Sequence, residues 1–133
     1  MANMELIKKY KLGERPQGND PKKIHKEIKN LFSESKEFVI VLHLDTQNNI
    51  ICREIVHIGG LNQSIMDPRA IFRTAITLNA NSIVLAHNHP SGVLTPSDED
   101  INSTAALKEG GEILGIKVLD HLIFNKTEYN SII

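Results

Sequence analysis

The sequence predicts an α/β fold: a mixed β-sheet flanked by helices, layered α-β-α, in a single domain. Three observations carry this prediction. Short apolar runs of strand type alternate with segments whose apolar residues recur at helical spacing. Asp20-Pro21 and Asp67-Pro68 each open such a segment in the manner of an N-cap followed by Pro at the first helical position. The chain has 133 residues, 41% of them hydrophobic and 23% charged, an ordinary globular composition with enough material for one core.

Residues 1–18 read as an N-terminal arm that ends in the turn signal Arg15-Pro16-Gln17-Gly18, and residues 19–133 as the domain proper. A first helix starts at Asp20-Pro21 with the apolar stripe Ile24, Ile28, Leu31 and Phe32, leaving His25 exposed. Phe38–Asp45 and Ile50–Ile58 are strands joined through Thr46-Gln47-Asn48-Asn49 as a hairpin, and Gly59-Gly60 breaks the second. His43 and His57 fall within these strands as partly buried side chains. A second helix follows Asp67-Pro68 with Ile71, Ala75, Ile76 and Leu78 facing inward. Ser82–His87 is a strand. The next helix is capped by Thr95, carries Pro96 at its first position, and ends near Lys108 at Glu109-Gly110-Gly111. Ile116–Asp120 and Leu122–Phe124 are the last strands.

The chemistry concentrates in His87-Asn88-His89-Pro90-Ser91-Gly92, followed by Pro96-Ser97 and Asp100. Side chains two apart on a strand point the same way, so both imidazoles lie on one side where Ile83-Val84-Leu85-Ala86 gives way to a loop. Ser97 and Asp100, three apart at a helix start, share a face. A strand end and a helix start thus bring His87, His89, Asp100 and one hydroxyl into one pocket. Two imidazoles and a carboxylate are three protein ligands, one short of a closed tetrahedron, and an open position for water is the pattern of catalytic zinc. Imidazole also suits iron, nickel and copper, so zinc is favoured by abundance and precedent.

These residues resemble a known family. His-x-His, seven residues, Ser, two residues, Asp is the JAMM metalloprotease motif of MPN-type domains, and His87, His89, Ser97 and Asp100 match it position for position. The longer string His87 to Gly92 is similar to the RadC branch, as are Glu37-Phe38, Pro68-Arg69, Leu78-Asn79-Ala80 and Asp120-His121, so the resemblance spans about Asp20 to Ser131. It implies a zinc-dependent hydrolase fold whose eukaryotic relatives cut isopeptide bonds, without naming what this branch cuts; the expected reaction is cleavage of peptide or isopeptide bonds, with one Zn2+ held by His87, His89 and Asp100 and a water in the fourth position. It also implies an upstream glutamate as general base. Glu37, directly before the apolar run Phe38 to Leu42, stands in that setting, with Glu34 and Glu54 as competitors. Ser97 would donate to the developing oxyanion, besides serving as a helix-start residue. Asp120-His121 is read as a structural hydrogen bond or, failing that, a contact to substrate.

Other classes fit less well. The histidines are too close together for an HNH nuclease, a lone Cys excludes the deaminase zinc motif, and neither a His-Glu-x-x-His helix nor a Walker loop is present. Two alternatives remain: a non-catalytic interaction domain associated with DNA metabolism, and a metal-dependent nuclease. Residues 1–36 hold nine Lys and Arg against five Asp and Glu, but the Lys are interleaved with Glu and only Tyr10 and Phe32 are aromatic, so the segment reads as a solvated helix face; the stretch bearing the motif is net acidic. The resemblance also includes a helical region ahead of this domain in the family; residues 1–18 do not match it, so DNA binding is expected to lose its main support. Cys52, single and set in a strand, fits a reducing cytoplasm and a buried small side chain. No signal peptide and no apolar span long enough for a membrane occur, so no membrane contact is expected.

Overall fold

The structure is a computed structural model that describes residues 5–59 and 66–133. Six strands form one sheet in the order β1-β3-β2-β4-β5-β6: β1 (Ile7–Lys9), β2 (Glu37–Leu44), β3 (Ile50–Gly59), β4 (Ser82–His87), β5 (Lys117–Phe124) and β6 (Tyr129–Ser131). The β4–β5 pair is parallel and the other four pairs are antiparallel. Three helices, α1 (Pro21–Ile28), α2 (Pro68–Thr77) and α3 (Asp98–Leu114), cover the two faces, which is the mixed α/β layering read from the sequence.

Strand alternation sorts the core into two layers. Ile40, Leu42, Leu44, Val84, Ala86 and Leu122 face α1, where Ile24 and Ile28 meet them. Val39, Val41, Ile83, Leu85 and Val118 face α2 and α3. Strand β2 is buried along its whole length because it has a strand on each side and helices above and below. The hairpin turn is set by Asp45, whose side chain accepts from the amides of Gln47 and Asn49, while Asn48 takes the left-handed conformation at φ 61°.

Several local expectations need correction. Within the N-terminal arm, a strand the sequence did not announce, β1, adds to the edge of β3. His25 is buried and its Nε2 meets the Asn125 carbonyl oxygen at 2.8 Å. On α2 the buried residues are Ile71, Phe72 and Ala75, and Ile76 is turned to solvent at 53% exposure, one position outside the stripe. Helix α3 is capped by Ser97 rather than Thr95, because Ser97 and Asp100 satisfy each other's amides in a capping box. Gly110 and Gly111 do not end it: the helix runs to Leu114 and stops at Gly115, which has φ 73°. A Cβ on Gly111 would lie 2.3 Å from the Ile116 carbonyl oxygen, so this glycine serves close approach of α3 to β5. The last two expected strands are one, β5. The second half of the Gly59-Gly60 break lies outside the described residues.

Candidate metal centre

The β4-loop-α3-β5 crossover builds the site. Strand β4 ends at His87, and the chain turns back at once: the Gly92 amide bonds to the His89 carbonyl at 2.8 Å, with Gly92 at φ 81°. The loop then delivers Ser97 as the cap of α3. Asp100 lies in the first turn, where the helix N-terminus favours a carboxylate.

Three side chains converge. His87 Nε2 is 3.2 Å from His89 Nε2 and 3.3 Å from an Asp100 carboxylate oxygen; the other carboxylate oxygen is 3.0 Å from His89 Nε2. A tetrahedral ion with bonds of 2.0–2.1 Å spaces its ligand atoms about 3.3 Å apart, so these donors already stand at nearly the separation of a zinc site. The far ring nitrogens are engaged elsewhere. His89 Nδ1 is 2.9 Å from the Val93 carbonyl, to which it donates, and this turns its Nε2 toward the cluster. His87 Nδ1 is 2.7 Å from His121 Nε2. Among the described residues, His87, His89 and Asp100 thus form a group able to hold one metal ion.

The electrostatics match that use. Burial works to raise the Asp100 carboxyl, but its contacts with His87 and His89 and the hydrogen bond from the Ser97 amide outweigh it and hold the group well below the usual carboxylate range. His89 is raised, first by its hydrogen bond to Asp100. His121, fully buried, is pushed down to about 3 by burial and then by its neighbour His87, so it stays neutral.

Glu37 is buried at the start of β2, on the strand where Val39 pairs with His87, and its charge is felt at His89. Of the competing glutamates, Glu34 is exposed, and Glu54 is engaged with His43 at 3.0 Å and with Thr74 of α2 at 2.8 Å. Ser97 Oγ accepts from the Asp100 amide at 3.0 Å, its capping role, and keeps its own proton to donate.

Sequence reasoning missed Asn88 and Thr104. Asn88, between the two histidines and fully buried, points to the opposite side of the strand. Its Oδ1 accepts from the Phe38 amide at 2.8 Å, and its Nδ2 donates to the carbonyls of Ser33 and Lys36, both at 3.0 Å. It therefore clamps the backbone on both sides of Glu37 to the histidine loop. Thr104 lies one turn after Asp100 on the buried stripe of α3, and a hydroxyl on a stripe continued by Leu107 was the signal that could have found it. Its Oγ1 touches the Asp100 carbonyl at 2.7 Å and His121 Nδ1 at 2.6 Å. The dipeptide Asp120-His121, read as a structural hydrogen bond, supplies that link.

A mixed sheet with His-x-His at a strand end and Ser-x-x-Asp at the following helix start defines a class: an α/β domain of the JAB/MPN type, the fold of JAMM-like metal-dependent hydrolases. The family model of the RadC-like JAB domain matches residues 19–133, and the chain belongs to that family. It is similar to a UPF0758 protein of Methanococcoides burtonii, 48% identical over 108 residues, covering 81% of this chain and 44% of that one. A UPF0758 protein of Clostridium perfringens is 42% identical, covering 99% and 60%, and one of Aquifex aeolicus is 40% identical, covering 98% and 57%. The chain therefore spans about half the length of the curated relatives it matches.

Proposed function

We propose that this domain is a zinc-dependent hydrolase of the JAMM type that cleaves peptide or isopeptide amide bonds. The observation that carries this reading is the convergence of two imidazole nitrogens and one carboxylate at 3.0–3.3 Å from one another, with their outer sides already bonded to protein. His87, His89 and Asp100 hold one Zn2+. The ion supplies Lewis acidity and makes a water molecule acidic near neutral pH. Glu37 takes a proton from the attacking water and passes it to the departing amine nitrogen, so the C–N bond breaks as the amine leaves neutral. The Ser97 hydroxyl donates to the carbonyl oxygen as it gains negative charge.

The test is metal content first. Purified protein never exposed to chelator is expected to hold about one zinc per chain, and His87→Ala or Asp100→Ala to lose it. Wild-type protein with no metal refutes the reading. Glu37→Gln is expected to keep zinc and to lose roughly 10²–10⁴-fold in turnover of an amide substrate. Equal turnover by that variant removes Glu37 from the role of base.

One observation supports a second activity beside the first. Lys22, Lys23, Lys26 and Lys29, together with His25 and the capping carboxylate Asp20, line a single surface pocket of about 510 Å³ along α1. The only glutamate of that helix, Glu27, is turned away to Tyr10. This face suits a polyanion such as a nucleic acid backbone, and binding that weakens steeply with added salt would support it.

A further inference from the structure

We propose that Thr104 and His121 act as positioning residues that fix the proton of His87 on Nδ1 and so keep its Nε2 lone pair facing the cluster. The inference deepens the metal reading above and rests on His87 being a ligand through Nε2. It follows from hydrogen-bond bookkeeping along one buried chain of groups.

The chain begins at a carbonyl. The Asp100 backbone oxygen can only accept, and it lies 2.7 Å from Thr104 Oγ1. If the hydroxyl proton pointed anywhere else, two oxygens with no proton between them would face each other at that distance. The single proton of Thr104 is therefore committed to Asp100. His121 Nδ1, 2.6 Å from the same Oγ1, must then be the donor. Above the ordinary histidine range, where the experiment below is done, a neutral imidazole carries one N–H, so His121 Nε2 is left as an acceptor. It sits 2.7 Å from His87 Nδ1, which must donate in turn. The proton of His87 is thereby placed on the side away from His89 and Asp100. Every step is set by the one before, and the starting oxygen belongs to the helix turn that also carries the carboxylate of the cluster.

The fold makes this chain by two devices. On α3, Asp100 and Thr104 are four apart on the buried stripe, so one turn brings both to β4 and β5. On β5, Val118 pairs with Ile83, but Asp120 pairs with Val84, which leaves Leu119 as an extra residue. In a regular strand Val118 and His121, three apart, would face opposite sides. The irregularity turns both toward α3, and His121 thereby reaches His87 and Thr104.

An imidazole free to exchange its proton between nitrogens spends part of its time with N–H directed at the metal position, where it cannot ligate. Partners on the outer nitrogen are the means by which proteins prevent this, and their loss typically costs 10–100-fold in metal affinity.

The experiment reads the tautomer in the metal-free protein at alkaline pH, by long-range proton–nitrogen correlation spectra of histidine-labelled samples. Wild type and Thr104→Ser are expected to show His87 with its proton on Nδ1. Thr104→Val keeps the shape but offers His121 no acceptor. Its His87 is expected to shift to the Nε2–H form or to a mixture. Zinc affinity, measured by competition with a chromophoric chelator, should fall roughly 10–100-fold in Thr104→Val and stay near wild type in Thr104→Ser. Should the valine variant fail to fold, Thr104→Ala carries the same expectation. Wild-type His87 protonated on Nε2, or a valine or alanine variant matching wild type in its spectrum, overturns the proposal. If the wild type binds no zinc, the metal reading falls, and the spectra still decide this inference.

Discussion

Removing the Asn88 amide tests how the two halves of the site are held together. Asn88 is fully buried and makes three hydrogen bonds, to the Phe38 amide and to the carbonyls of Ser33 and Lys36. In Asn88→Ala the Phe38 amide, on a buried residue, loses its partner, which costs about 1–3 kcal/mol, and the two carbonyls lose about 1 kcal/mol each because water can reach them in part. The sum is about 3–5 kcal/mol, a large share of the stability of a small domain. At about 3–4 °C per kcal/mol for a domain of this size, the midpoint of thermal unfolding should fall by about 10–20 °C. Asn88→Asp keeps the acceptor for Phe38 but turns a second oxygen toward two carbonyls, so it should be no milder. The assay is urea unfolding followed by circular dichroism, with the slope against denaturant compared between variants. If Asn88→Ala lies within about 1 kcal/mol of wild type at an unchanged slope, the clamp is not what fixes β2 to the histidine loop.

Three further outcomes are expected. Chelation should leave the far-ultraviolet spectrum largely unchanged, because the two core layers on either side of the sheet do not involve the metal ligands; loss of most of the signal would show the metal to be structural. Gly111→Ala should destabilise by about 1–3 kcal/mol, since its Cβ would meet the Ile116 carbonyl at 2.3 Å. The adjacent Gly110→Ala meets only Phe72 at 3.6 Å and should gain up to about 1 kcal/mol of helix propensity, so equal effects in thermal melts would contradict the close-approach argument. Burial raises the Glu54 carboxyl, but hydrogen bonds from His43 and Thr74 outweigh this and lower it on balance, so the unfolded chain takes up its proton more readily than the native one. The stability it contributes is present above the ordinary glutamate value of about 4.3 and is lost as pH falls through the lower native value. Glu54→Gln should flatten the acid limb of stability against pH, and an unchanged slope below pH 5 would show that the carboxylate contributes nothing there.

The sequence alone determined whatever depends on short spacing. His87 and His89 share a side because strand side chains repeat every two residues, and Asp100 follows the capping serine by three because that is how a helix start closes on itself. The same local rules announced α1, α2 and the hairpin. They failed at Gly110-Gly111, where a glycine pair usually marks an end. There the reason is not backbone freedom but the room α3 needs against Ile116, and only the packed neighbour reveals it.

The tertiary structure alone decided what joins distant segments. Asn88 meets residues some fifty positions earlier through β2–β4 pairing, and Glu37 comes to the histidine end of the sheet by the same register. His121 faces His87 only because Leu119 interrupts the alternation of β5. A single irregular residue reverses the face of every side chain beyond it, and nothing in local propensity marks where it falls. The donors of the centre are therefore written in the spacing of the chain. The groups that hold those donors in place are set by strand register, which is fixed by burying one face of a sheet against its helices.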